Sequence, residues 1–177
     1  MSTFVQVLLD GLLAGMLYAL VAAGLSLIWG VMDVINFAHG EFLMVAMYLS
    51  YWLGFLAHID PIISWLASGV FVFILGVLTY RFLVSRCLGK AAMAPLLATF
   101  GLSMFLKNVC LNRFSPNFRI LQTTVLEGKK ILLGDIVIGL PQLVTGLFSL
   151  AILFALYFLM KKTRLGWAIQ ATAMDRE

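Results

Sequence analysis

Charge is scarce in this chain. Asp, Glu, Lys and Arg together make up 11% of its 177 residues, against about a quarter in a soluble domain. Cysteine is scarcer still: Cys87 and Cys110 are the two present, and they form no CxxC pair. Their spacing suits neither a structural zinc site nor a redox motif. The start, Met-Ser-Thr-Phe, lacks a basic n-region, and the apolar stretch behind it is longer than the core of a signal peptide. It therefore reads as a retained span. A Walker-type phosphate loop is absent from the sequence, so ATP is not bound by that route. His39-Gly40-Glu41 matches the H-x-E half of a zinc deaminase signature, but the proline and CxxC half is missing. His39, His58 and scattered carboxylates offer too few ligands for a metal hydrolase, so no metal centre and no enzyme is expected.

What is abundant is hydrocarbon. Hydrophobic residues reach 63% and the mean hydropathy is +1.05. A soluble chain of that composition could not cover its own surface, whereas a chain in lipid faces hydrocarbon and has no need to. The expected fold is all-α, a polytopic bundle of about five membrane helices, each of about 20 apolar residues. The spans are placed at about 4–29, 42–57, 62–84, 92–109 and 136–160, within one membrane domain covering 1–177. Asp10 is the only charge in the first and sits near its start, where a carboxylate favours the positive end of a helix. Residues 31–41, 85–90 and 111–135 are the main loops; the last is long, polar and able to hold a small ordered cap or hairpin. Residues from 161 onward form a polar tail.

The net charge of +4 carries no nucleic-acid signal, because the basic residues lie between apolar segments, where they set orientation. One side of the membrane collects Arg81, Arg86, Lys90, Lys161, Lys162, Arg164 and Arg176. The other collects Lys107, Arg113, Arg119, Lys129 and Lys130. The first side is assigned to the cytoplasm, which puts residues 111–135 outside.

Three patterns stand out. Gly11, Gly15, Ala19 and Ala23 recur every fourth residue and line one helix face; small faces let membrane helices approach closely. The segment from Gly30 to Glu41 crowds Asp33, Asn36, His39 and Glu41 between two spans. If it is helical, Asp33, Asn36, Phe37 and Gly40 share a face. Polar groups at that depth face a cavity or water, so the segment is either part of a translocation path or a solvated turn. Gly166, Ala168, Ala171 and Ala173 space the tail with small residues, which suits either a juxtamembrane helix against lipid head groups or a helix docked in a protein groove.

Two stretches resemble one family. Residues 11–48, and most specifically Ile-Asn-Phe-Ala-His-Gly-Glu-Phe (35–42), are similar to the first spans of ABC-importer permeases for branched-chain amino acids, the LivH type. The tail Thr-Arg-Leu-Gly-Trp-Ala-Ile-Gln-Ala-Thr-Ala-Met-Asp-Arg-Glu (163–177) resembles the start of that family's cytoplasmic coupling loop. Its pattern falls on Gly166, Ala168, Ala171, Ala173, Asp175 and Glu177. The resemblance implies a permease subunit of the prokaryotic plasma (inner) membrane. It implies a second, homologous permease, two cytoplasmic ATPase subunits that bind the ATP, and an extracytoplasmic binding protein that delivers substrate. Residues 161–177 would begin the coupling helix that passes ATPase closure to the spans, and Asp33, Asn36, Phe37, His39 and Glu41 are the candidate path residues. The pattern stops at Glu177, inside the coupling motif, so an N-terminal portion of a longer permease is expected.

Two other readings stand beside leucine, isoleucine and valine import. Permeases for urea or short amides share a similar Ala-His-Gly-Glu segment, although Phe37, Phe42 and Trp52 would suit an apolar substrate better. A truncated membrane subunit without transport of its own is the other.

Overall fold

The computed structural model describes residues 2–88, 93–117, 119, 128–134 and 136–174. Five of its helices are long and apolar enough to cross a bilayer. The chain divides into two compact units, Met1–Asp33 with Leu126–Glu177, and Val34–Val125.

In the first unit, α1 (Ser2–Met32) packs along α6 (Leu140–Lys162). At its 31 residues α1 is roughly 46 Å long by helical rise, more than the hydrocarbon core requires. The close approach of the pair is made by Gly146, which is buried; a Cβ there would sit 3.0 Å from Leu13 Cδ2 and 3.4 Å from Met16 Sδ. Ahead of α6 lies a hairpin, β1 (Lys130–Leu133) antiparallel to β2 (Ile136–Gly139), in the register Lys130 opposite Gly139 and Leu133 opposite Ile136. Gly134 follows β1 with φ of 64°, the left-handed backbone that a two-residue hairpin turn demands. Gln6 of α1 holds the hairpin as a strand would. Its Oε1 accepts from Val137 N at 2.9 Å and its Nε2 donates to Val137 O at 2.8 Å and to Asp10 Oδ2 at 3.0 Å. Asp10 is thus tied within the unit.

The fifth span therefore begins at Leu140 and not at 136. Ile136-Val137-Ile138 are apolar enough to extend the run, but they are β-branched and sit ahead of a Gly139 in extended conformation, with Pro141 in the first helical turn. The hairpin also shortens the loop expected over 111–135, as does the preceding helix.

In the second unit, α2 (His39–Ala57) packs on α3 (Pro61–Thr79) and on α5 (Met93–Phe114). A left-handed His58 (φ 51°) ends α2, and Pro61 opens α3 directly behind Asp60, whose carbonyl accepts from Ile63 N at 2.8 Å and Ser64 N at 3.0 Å. Ser50 and Ser64 share a hydroxyl–hydroxyl hydrogen bond between α2 and α3. The third span does not stop at 84. It passes through a π-helical turn, Tyr80–Val84, and closes with α4 (Ser85–Cys87), so the basic loop begins later than expected. Likewise α5 runs on past 109 to Phe114.

Candidate functional site

The segment between α1 and α2 is not helical. Asp33 adopts φ of 55°, its N–H still reaching Trp29 O at 2.8 Å, and the chain then continues without regular structure to Asn36 and turns at Phe37-Ala38 before α2 begins at His39. The shared helical face expected for Asp33, Asn36, Phe37 and Gly40 does not form. The physical reason is local: an Asx side chain offers the backbone a competing partner. Asn36 Oδ1 accepts from Ala38 N at 3.0 Å and Asn36 O accepts from His39 N at 3.2 Å. Asn36 builds the turn that launches α2.

What anchors the bend is apolar burial and one hydroxyl. Ala38 and Val34 are buried, at 0% and 7% exposure. Thr99 of α5, also 0% exposed, accepts from Phe37 N at 3.4 Å and lies 3.3 Å from Ile35 O and 3.1 Å from Leu96 O, to which its single proton can be given. Phe37 leaves its ring 47% exposed, edge-on to Phe100 at 6.1 Å and 87°. His39 is half-buried, and Glu41 is half-buried in the first turn of α2, where its charge suits the helix end. Asp33 and Gly40 are exposed. Thr99 carries no sequence pattern of its own; the only cue is a threonine four residues after Pro95, in a helix whose polar residues are few.

Asn36 yields a direct prediction. Asn36→Asp keeps the acceptor and is expected to fold and insert like the parent. Asn36→Leu loses it and leaves an N–H beside buried Ala38 unsatisfied, at a cost of about 1–3 kcal/mol. Hydrogen exchange at Ala38 and His39 checks this: faster exchange in Asn36→Leu alone is expected, and equal rates in all three proteins would remove Asn36 from the turn.

The second constellation is the corner after the last span. A helix leaves its last four carbonyls without intrahelical donors. Here Thr163 and two side chains of α7 (Arg164–Met174) supply donors to three of them. Thr163 Oγ1 donates to Leu159 O at 2.6 Å, Gln170 Nε2 to Met160 O at 3.0 Å and Trp167 Nε1 to Lys161 O at 3.1 Å. The Thr163 hydroxyl also accepts from Gly166 N at 3.1 Å, as an N-cap residue does, so one threonine ends α6 and starts α7. Gly166 is buried because the turn folds onto α6. A Cβ there would overlap the carbonyl oxygens of Leu159 and Met160 and lie 2.6 Å from Met160 C.

The small residues of the tail are thereby separated. Gly166 faces its own chain, Ala168 and Ala171 are exposed, and Ala173 is half-buried. Asp175 and Glu177 lie outside the described residues. Thr163, Trp167 and Gln170 were not singled out by spacing, since none is small. On α1, Gly11, Gly15 and Ala19 are exposed, Ala23 is half-buried, and Gly11 and Gly15 have nothing within 4 Å of an added Cβ. The contact with α6 uses Leu13 and Met16, so the small face is not what packs on α6.

A family model described as "Branched-chain amino acid transport system / permease component" matches residues 7–177. The chain is 28% identical over 185 residues to the high-affinity branched-chain amino acid transport system permease protein BraD of Pseudomonas aeruginosa, covering 97% of this chain and 60% of that protein. It is 31% identical over 113 residues to the corresponding LivH of Salmonella typhimurium, covering 59% of this chain and 37% of that protein. LivH of Escherichia coli K12 is 30% identical over the same length. The chain thus spans less than two thirds of the length of these relatives. No solved structure matches it.

Proposed function

Because the chain belongs to the family of permease components of branched-chain amino acid transport systems, we propose that it is the membrane-spanning subunit of an ATP-driven importer for leucine, isoleucine and valine. The relatives are transport components and not enzymes, and five apolar helices make this a multi-pass membrane chain. A second permease forms the pathway with it, two cytoplasmic ATPases drive it, and an extracytoplasmic binding protein loads it. Its home is the inner membrane, with α7 on the cytoplasmic side.

The corner between α6 and α7 carries the reading. A helix pinned to the end of a span by the side chains of Trp167 and Gln170 moves with that span. Force applied to the open face holding Ala168 and Ala171 reaches the membrane without being lost in a flexible joint. The bend at 33–38, held by Thr99, places Asn36, Phe37, His39 and Glu41 at the mouth of α2, and we assign them to the translocation path. Both roles need a coupled transporter, which agrees with a chain that carries no Walker loop.

The test is uptake of labelled leucine by cells in which this permease is the only leucine entry route. Excess isoleucine or valine is expected to suppress uptake, and excess urea or acetamide to leave it unchanged. Suppression by urea with indifference to isoleucine and valine would replace this reading with that of an amide importer.

A further inference from the structure

We propose that a cleft beside the second half of α2 is a binding subsite for a small carboxylate with an apolar side chain, of the branched-chain α-amino acid type. The proposal rests on the transport reading above and adds where in this chain the substrate is met.

The cleft has a volume of about 340 Å³, with Met44, Met47, Tyr48 and Tyr51 on the α2 side and Asn117 and Arg119 opposite. That lies at the small end of the range for small-molecule sites, about 300–1,000 Å³. It is room for one amino acid and not for a pair of acyl chains. Thioethers and aromatic rings form its apolar wall, and methionine adapts its shape to branched aliphatic groups.

The polar end is the telling part. The Arg119 guanidinium stands 5.5 Å from the ring centres of both Tyr51 and Trp52. One of its N–H groups donates to Phe114 O at 2.6 Å. A guanidinium has five such donors, and among the described residues no carboxylate pairs with this one. The cation is therefore positioned by aromatic faces and a helix-end carbonyl, with donors left over. Its planar fork fits a carboxylate in a two-point pairing. The platform under it is braced: Tyr48 stacks on Phe114 at 4.8 Å and 19°, and Trp52 lies 5.8 Å from the same ring. Trp52 Nε1, in the same cluster, is buried without a hydrogen-bond partner among the described residues, a second donor without an oxygen.

The same arrangement says what is rejected. Among the described residues no acidic side chain lines the cleft, so an amine lacking a carboxylate finds no ion partner there, and urea or a short amide gains neither the charge pairing nor enough apolar contact. A phosphate would also pair with Arg119, so an anionic lipid head group shares the chemistry, and the experiment separates the two.

The full chain is reconstituted in discs of phosphatidylcholine and titrated calorimetrically with L-leucine, 4-methylpentanoate, 3-methylbutylamine and urea. Leucine and 4-methylpentanoate are expected to bind, and the amine and urea not to. Arg119→Gln is expected to weaken leucine binding by about tenfold or more, with Arg119→Lys intermediate. Met47→Trp, which fills the cleft and spares the cation, is expected to abolish binding. Equal leucine affinity in the parent and Arg119→Gln overturns the proposal, as does tight binding of 3-methylbutylamine or absence of binding by both carboxylates. Competition of phosphatidylglycerol with leucine for Arg119, leaving no leucine bound in discs that contain it, assigns the site to lipid and overturns it too. If isoleucine and valine suppress uptake while Arg119→Gln binds leucine normally, the subsite fails and the transport reading stands. If they do not suppress uptake while the carboxylates still bind through Arg119, the transport reading fails and the subsite stands.

Discussion

Gly166→Ala, placed in the assembled transporter, is expected to lower leucine uptake about tenfold or more while the ATPase subunits continue to hydrolyse ATP. The reason is geometric. The added methyl meets the backbone carbonyls of Leu159 and Met160, which belong to α6 and cannot rotate away as a side chain would. Overpacking of this kind costs about 1–3 kcal/mol, and the cheapest relief is for α7 to lift from its seat. Lifting also breaks the bonds from Trp167 to Lys161 O and from Gln170 to Met160 O. Tryptic cleavage after Lys162 and Arg164 reports the opening directly and should accelerate by a similar factor. Gly146→Ala is the control. Its methyl would meet the far end of Leu13 at 3.0 Å, a flexible side chain that can turn aside, so a smaller loss is expected. If Gly166→Ala retains both the parent's uptake and its resistance to trypsin, the corner is not the rigid joint described here.

The contrast between these two glycines shows what a sequence can carry. The small-residue spacing of the tail singled out Gly166, but for a groove on another protein; the structure turns it toward its own helix end, while Ala168 and Ala171 stay open. Spacing reports which residues share a face and not what lies opposite. On α1 the spacing marked Gly11, Gly15 and Ala19, yet the glycine that lets α1 and α6 approach is Gly146, an isolated one with no repeat to reveal it. Span existence was legible because apolar runs of about 20 residues have few other uses. Span ends were not where an apolar strand abuts an apolar helix: Ile136-Val137-Ile138 extend the run at Leu140 without a polar break, and hydropathy cannot tell a short strand from one more helical turn. At residues 33–38 the polar crowding was legible, and its conformation was not, since helix and Asx turn present the same residues in the same order. Arg119 counted toward orientation alone; its place over Tyr51 and Trp52 depends on a contact about seventy residues distant in sequence, which no local pattern encodes.

Thr99 is the clearest case of a residue with no sequence signature and a large expected effect. Thr99→Val preserves shape and burial and removes only the hydroxyl. In a site with 0% exposure, Phe37 N loses its side-chain acceptor and Ile35 O loses the hydroxyl 3.3 Å away. Both bonds are part-buried, and leaving such groups without a partner costs about 1–3 kcal/mol. It falls on the bend itself, because Leu96 O, the third partner, keeps its helical donor on α5. The bend should therefore open locally while α2 and α5 persist. Hydrogen exchange at Phe37 is expected to rise by about tenfold or more, at 1.4 kcal/mol per factor of ten, with leucine uptake falling alongside it. Thr99→Ser, which keeps the hydroxyl and loses a methyl, should exchange at nearly the parent's rate and transport nearly as well. Were the valine variant to exchange and transport like the parent, Val34, Ala38 and the Asn36 turn would be sufficient to hold the entrance of α2. Were only the valine variant impaired, a single buried hydroxyl on α5 would set the geometry from which Asn36, Phe37, His39 and Glu41 are presented.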